Sequence, residues 1–84
     1  MEVKLFQRTQ RELAATINEV IDKYWKDDID EPKMIELIQK LYTLNKTKMV
    51  KNGQYTTIIR QQCGKKRLDV VSCVVELNNE KKVL

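Results

Sequence analysis

Leu13, Ile17, Val20, Ile21 and Tyr24 recur at steps of three and four residues through "LAATINEVIDKY". That period stacks apolar side chains on one face of an α-helix and would scatter them over both faces of a strand. It constrains the fold more than any other feature, because a helix with one apolar face needs a second apolar surface to cover it. Thr9 and Glu12 precede the stripe in the T-x-x-E spacing of a capping box, which satisfies two otherwise unpaired backbone donors. The pattern predicts a first helix from about Thr9 to Trp25.

The helical period returns after the break "KDDIDEP". Asp30 suits a cap, the neighbouring carboxylates suit the positive end of a helix dipole, and Pro32 is tolerated in a first turn. Met34, Leu37, Ile38, Leu41 and Leu44 mark the second apolar face and predict a helix from Glu31 to Asn45. "KTKMVK" either extends that helix or forms an irregular connection, and Asn52-Gly53 signals a turn. "QYTTIIRQQC" brings Tyr55, Ile58, Ile59 and Cys63 near one face of a short third helix. Gly64 ends it, since glycine tolerates left-handed backbone.

"KKRLDVVSCVVELN" reads two ways. Val71, Cys73, Val75 and Leu77 alternate as in a strand, and valine favours strands. Leu68, Val71, Val74 and Val75 share a helical face instead, and the tight glycine turn before them favours the helix. "EVKLF" at the start alternates as a short strand or an extended arm. The expected fold is all-α: a small four-helix, helix-turn-helix-like bundle over residues 1–77, with a short extended N-terminal arm and a frayed tail over residues 78–84. Leu13, Ile17, Val20, Ile21, Ile38, Leu41, Ile59, Leu68 and Val71 are its expected core.

A hydrophobic content of 42% is too high for a disordered chain. With 84 residues the chain buries a modest core, and a homodimer is one way to bury more. No apolar run approaches the ~20 residues that cross a bilayer, and charges interrupt "MEVKLFQRTQ" before it can serve as a leader. The expectation is a cytoplasmic protein. Cys63 and Cys73, ten residues apart in a chain with no histidine, match neither a zinc ligand set nor a redox pair. They read as two small buried apolar residues, with no metal, no disulfide and no cofactor. There is no phosphate loop and no nucleophile motif, so an enzyme is not expected.

Charge is unevenly placed. Residues 1–32 hold five Lys/Arg against eight Asp/Glu, a net of −3, whereas residues 33–84 hold eleven against four, a net of +7. Such asymmetry points the second half at a polyanion or an acidic protein surface. The candidate contacts are Lys46, Lys48, Lys51, Arg60, Lys65, Lys66 and Arg67. The last three follow Gly64 directly, where a helix start also offers free N–H groups to a phosphate. Asp69 can offset one of them at helical spacing. Changing all three to Gln is therefore expected to leave stability unchanged or slightly raised.

Two helices meeting at a glycine, the second opening with cations, also outline a DNA-reading helix-turn-helix. In that register Ile59, Cys63, Val70 and Cys73 fall at apolar positions. Arg60 falls where a small residue is usual, and Lys65 where an apolar one is. A strand at "EVKLF" followed by two helices outlines instead a ribbon-helix-helix dimer, for which the first helix is long. Trp25 lies off the apolar stripe beside the acidic "KDDIDE" run, a placement that suits a protein contact. The reading is a small regulatory protein that contacts nucleic acid through Lys46–Arg67, or else a modulator that binds a host protein.

The segments "FQRTQRELAATINEVIDKYW" and "YTTIIRQQCGKKRLDVVS" resemble a family of small uncharacterised proteins of Bacillus and Clostridium and of their mobile elements. The resemblance spans nearly the whole chain and implies a bacterial, intracellular setting. It carries no activity and no site residues.

Overall fold

The computed structural model describes the backbone of residues 3–82 and side chains as far as Leu77. Four helices and one small hairpin follow in the order α1 (Gln10–Trp25), α2 (Glu31–Leu44), α3 (Lys46–Met49), β1 (Val50–Lys51), β2 (Gln54–Tyr55) and α4 (Thr57–Lys82). The fold is all-α apart from that hairpin. Its Cα radius of gyration, 12.0 Å, is about what a compact chain of this length has.

Each helix begins and ends for local reasons. The Thr9 hydroxyl accepts from the Glu12 N–H at 3.1 Å and caps α1. The Glu12 carboxylate reaches past Thr9 to the Arg8 N–H at 3.4 Å, one residue short of the reciprocal box. At the other end Asp27 takes a left-handed φ of 64°. The N–H of Asp27 bonds to the Tyr24 carbonyl at 3.1 Å and that of Asp28 to the Lys23 carbonyl at 2.8 Å, which is a Schellman closure with aspartate in the usual place of glycine. Asp30 then caps α2 through the Lys33 N–H at 3.0 Å, with Pro32 in the first turn.

Leu13, Ala14, Ile17, Val20 and Ile21 of α1 pack with Met34, Leu37, Ile38 and Leu41 of α2. Met49 of α3 and Ile59, Cys63, Leu68, Val71 and Val74 of α4 complete a single core. All nine residues expected inside are buried. Leu44 is not, being 49% exposed. α2 stops at Leu44, and the inward slot one turn beyond Leu41 goes to Asn45, which is 1% exposed.

Asn45 also holds the N-terminal arm. Its amide oxygen accepts from the Gln7 N–H at 2.9 Å, and its amide nitrogen donates to the carbonyls of Leu5 at 2.7 Å and Leu41 at 2.9 Å. Residues 3–9 form no strand within the chain and lie instead along Asn45 as an extended arm.

"KTKMVK" becomes the single turn α3 and then β1. The hairpin pairs Val50 with Tyr55 and Lys51 with Gln54. Asn52 at φ 54° and Gly53 at φ 78° supply the two positive φ angles of a type I′ turn. The third helix expected from Gln54 therefore starts at Thr57.

Helix, not strand, is the state of residues 65–82, and α4 breaks only at Gly64, with φ 79° and ψ 167°. That is a positive φ with an extended ψ, a region essentially reserved for glycine, and not the left-handed helical conformation expected. Beyond it Val71 and Val74 take the core while Val70 is partly buried and Cys73 exposed, so the helix-turn-helix register does not hold in the second arm. Of the expected frayed tail, the backbone of residues 78–82 continues α4, and residues 83 and 84 lie outside the described residues.

Candidate functional site

The type I′ turn folds Tyr55 back over α4. Its phenol meets the Ser72 hydroxyl at 2.7 Å, tying the hairpin to the second arm. Burial pushes the Tyr55 phenol above its ordinary pKa, against the Ser72 hydrogen bond, which acts in the opposite sense. Thr56 fixes the junction: its N–H bonds to the Met49 carbonyl at 3.0 Å and its carbonyl receives the Arg60 N–H at 3.0 Å. Arg60 thereby emerges from the first turn of α4 beside the hairpin, exposed.

Three hollows meet around Arg60. The largest, about 620 Å³, is lined by Tyr42 of α2, Val50 and Tyr55 of the hairpin, and Arg60, Ser72 and Glu76 of α4. A second, about 390 Å³, places Lys51 with Arg60, Asn52 and Thr57. A third, also about 390 Å³, places Lys65 and Asp69 with Arg60 and Tyr55. Lys46 lines none of the three, but its ammonium stands 5.9 Å from the centre of the Tyr42 ring. The face thus combines cations with two partly buried tyrosines, and Glu76 and Asp69 are its acidic members.

The other candidates are distributed differently. Lys48 stands 5.1 Å above the Phe6 ring, toward the N-terminal arm. Lys66 is exposed. Arg67 turns away from the groove toward α1, where its guanidinium grips the Asp22 carboxylate through two bonds of 3.0 Å. A third bond of 3.1 Å reaches the Cys63 carbonyl, and the guanidinium lies 5.9 Å from the Trp25 ring centre. The Asp22 hydrogen bond is the main cause that raises the Arg67 pKa.

Arg67 is therefore a clip between α1 and α4 and not a free cation, which corrects its place among the candidate contacts. It also reverses the expectation that Gln at all three positions leaves stability intact. Trp25 is 48% exposed but engaged by that clip. The signal for the clip was the i, i+4 step from Cys63 to Arg67; nothing local pointed to Asp22, 45 residues away.

Six of the seven candidate cations, all but Arg67, have no carboxylate within 4 Å among the described residues. Lys33 and Lys40 instead share Glu36, at 4.0 and 3.0 Å, and Glu36 is held below the usual carboxylate range chiefly by its hydrogen bond from Lys40.

The cysteines differ. Cys63 is 2% exposed, its thiol directed at the Ala14 carbonyl at 3.8 Å, and burial pushes its pKa up to about 11. Cys73 is exposed, because Val71 and Val74 occupy the inward positions on either side of it; the expectation that both are buried holds for Cys63 alone. No three His, Cys, Asp or Glu side chains gather to hold a metal among the described residues. No helix of the described residues is long and apolar enough to cross a membrane.

No curated protein and no solved structure matches the chain. Residues 4–76 match the model of a family described as conserved hypothetical protein. That span takes in the arm, the clip, the hairpin and all three hollows around Arg60, and the chain accordingly belongs to this family, CLB_0814_fam.

Proposed function

We propose that the protein is a small, non-enzymatic regulatory protein that contacts nucleic acid through the face centred on Arg60. Lys51 and Lys65 flank Arg60, Lys46 lies beyond Tyr42, and Lys48 and Lys66 add to the positive field. One observation carries the reading: six cations cluster in sequence and none has an acidic partner within 4 Å among the described residues. Unpaired cations of this density attract a phosphate backbone and release its counterions. Tyr42 and Tyr55 on the same face suit stacking against bases of a single strand. The setting we propose is the bacterial cytoplasm, mobile elements included.

The test is fluorescence anisotropy with labelled single-stranded and duplex oligonucleotides over a salt series. Affinity should fall steeply with salt, and Lys51→Gln, Arg60→Gln and Lys65→Gln should each weaken binding and reduce the salt slope by about one. Absence of binding at low salt removes this reading.

A second reading, a modulator that binds a host protein, has its own support. Phe6 and Leu44 are 58% and 49% exposed, and Leu5, Ile35 and Leu44 line a groove of about 850 Å³ along α2. Capture of a protein from native lysate that survives nuclease treatment and is lost in Leu44→Glu favours that reading over the first.

A further inference from the structure

The second arm of α4 is apolar on more of its circumference than the surface helix of a monomer needs. Leu68, Val71 and Val74 are buried in the core, and Val75 lies partly buried at the hairpin groove. Val70, Cys73 and Leu77 face a third way. Val70 is only partly buried, Cys73 is exposed, and Leu77 is 45% exposed. Their steps of three and four make one continuous stripe, which Lys66 extends by a further turn. Trp25, 48% exposed, stands against Arg67 at the start of the same arm.

The stripe reads the same in both directions. Lys66, Val70, Cys73 and Leu77 are separated by four, three and four residues. An antiparallel second copy therefore sets Val70 against Cys73 and Lys66 against Leu77, twice over, about one two-fold axis.

Charge selects that direction. The stripe opens beside Lys65 and Lys66 and closes beside Glu76, all exposed and without ion pairs among the described residues. In the antiparallel pairing each Lys66 stem covers a Leu77 and carries its ammonium to a Glu76 of the other copy. A parallel copy would set lysine against lysine and glutamate against glutamate.

We propose that Val70, Cys73 and Leu77 are the contact surface of a homodimer in which two copies of α4 pack antiparallel. One helix face with a flanking tryptophan buries less than the roughly 1,200 Å² at which stable interfaces begin, so the dimer forms and dissociates reversibly. The surface is argued without the nucleic-acid reading, whose groove lies on the Ser72 and Val75 side of the helix and shares only Lys66 and Glu76 with it.

Sedimentation equilibrium tests the surface. The wild-type mass should rise from one chain toward two with concentration, while Leu77→Glu stays at one chain with an unchanged circular-dichroism spectrum. Oxidative cross-linking tests the register. In the wild type the two Cys73 residues are offset by about 4.5 Å along helices roughly 8–10 Å apart, outside easy disulfide reach. In Val70→Cys the introduced thiol faces the second copy's Cys73, and cross-linking should be about tenfold faster than in the wild type. Leu77→Glu added to that variant should abolish the gain. A wild type that remains one chain at every concentration, or a dimer that Leu77→Glu leaves intact, overturns the surface. Equal cross-linking rates in the wild type and Val70→Cys overturn the antiparallel register.

Discussion

Arg67 and Lys65 are two residues apart on one helix and belong to different regions of the molecule. On the α1 side, Arg67 is held by Asp22, the Cys63 carbonyl and the Trp25 ring. On the hairpin side, Lys65, Arg60 and Lys51 surround hollows with few acids. The same sign of charge thus locks two helices together in one place and has no acidic partner within 4 Å among the described residues in the other. A run of cations in a sequence is a count; the distance to the nearest carboxylate decides its role.

The largest change removes the support that both regions share. Ile17→Ala or Leu41→Ala deletes a fully buried side chain and should cost about 2–5 kcal/mol in chemical denaturation. Clip and groove should be lost in one transition; a separate second transition would show that they do not rest on one core.

Gly64 stands between the two regions. A Cβ there meets nothing within 4 Å, so Gly64→Ala tests backbone conformation alone and should cost about 1–3 kcal/mol. A cost near zero would mean that the arms can realign without the glycine.

Alkaline titration reaches both sides at once. The Cys63 thiol is raised from 9.0 to about 11, and Tyr55 is raised as well. A folded pKa above the unfolded one favours folding below the unfolded value, and that stability is lost as pH rises through the folded value. Cys63 should therefore cost roughly 1 kcal/mol of stability by about pH 10 relative to pH 8. Denaturation of Cys63→Ala at both pH values isolates the Tyr55 share; a slope unchanged from the wild type would exclude the thiol as a cause.

The sharpest comparison has the smallest effects. Arg67→Gln should lower stability by about 1 kcal/mol, as expected for a partly exposed bidentate pair, with little change in oligonucleotide affinity. Lys65→Gln should change stability by less than about 0.5 kcal/mol and weaken binding. Thermal melts and anisotropy on the two variants should give opposite orders, and the same order in both would dissolve the distinction.

The first two helices were legible because their apolar period, caps and breaks agree. Asn52-Gly53 marked a turn, but the strands beside it are two residues each, too short for any alternation to register, so Gln54 and Tyr55 read as helix. The valines of α4 were ambiguous because the arm is apolar on several faces, and for that reason Cys73 could not be told from its buried neighbours. Leu44 continued a valid period to the last residue of α2, where the inward position passes to Asn45 instead. Arg60 was visible as one cation among seven, whereas its central place depends on the hairpin. The Asp22–Arg67 clip was out of reach, since only tertiary packing brings those residues together.

The N-terminal arm and the helices differ in how they come apart. A helix is held by a ladder of bonds, but among the described residues the arm's hydrogen bonds to the end of α2 run through the one amide of Asn45. Val3 and Leu5 lie against the edge of the core beneath it. Release of that amide should let the arm open as a unit of its own while the helical ladders remain closed. The Gln7 N–H should then exchange with solvent at a rate set by this local opening and not by global unfolding, which would make it an early reporter of a loosened native state.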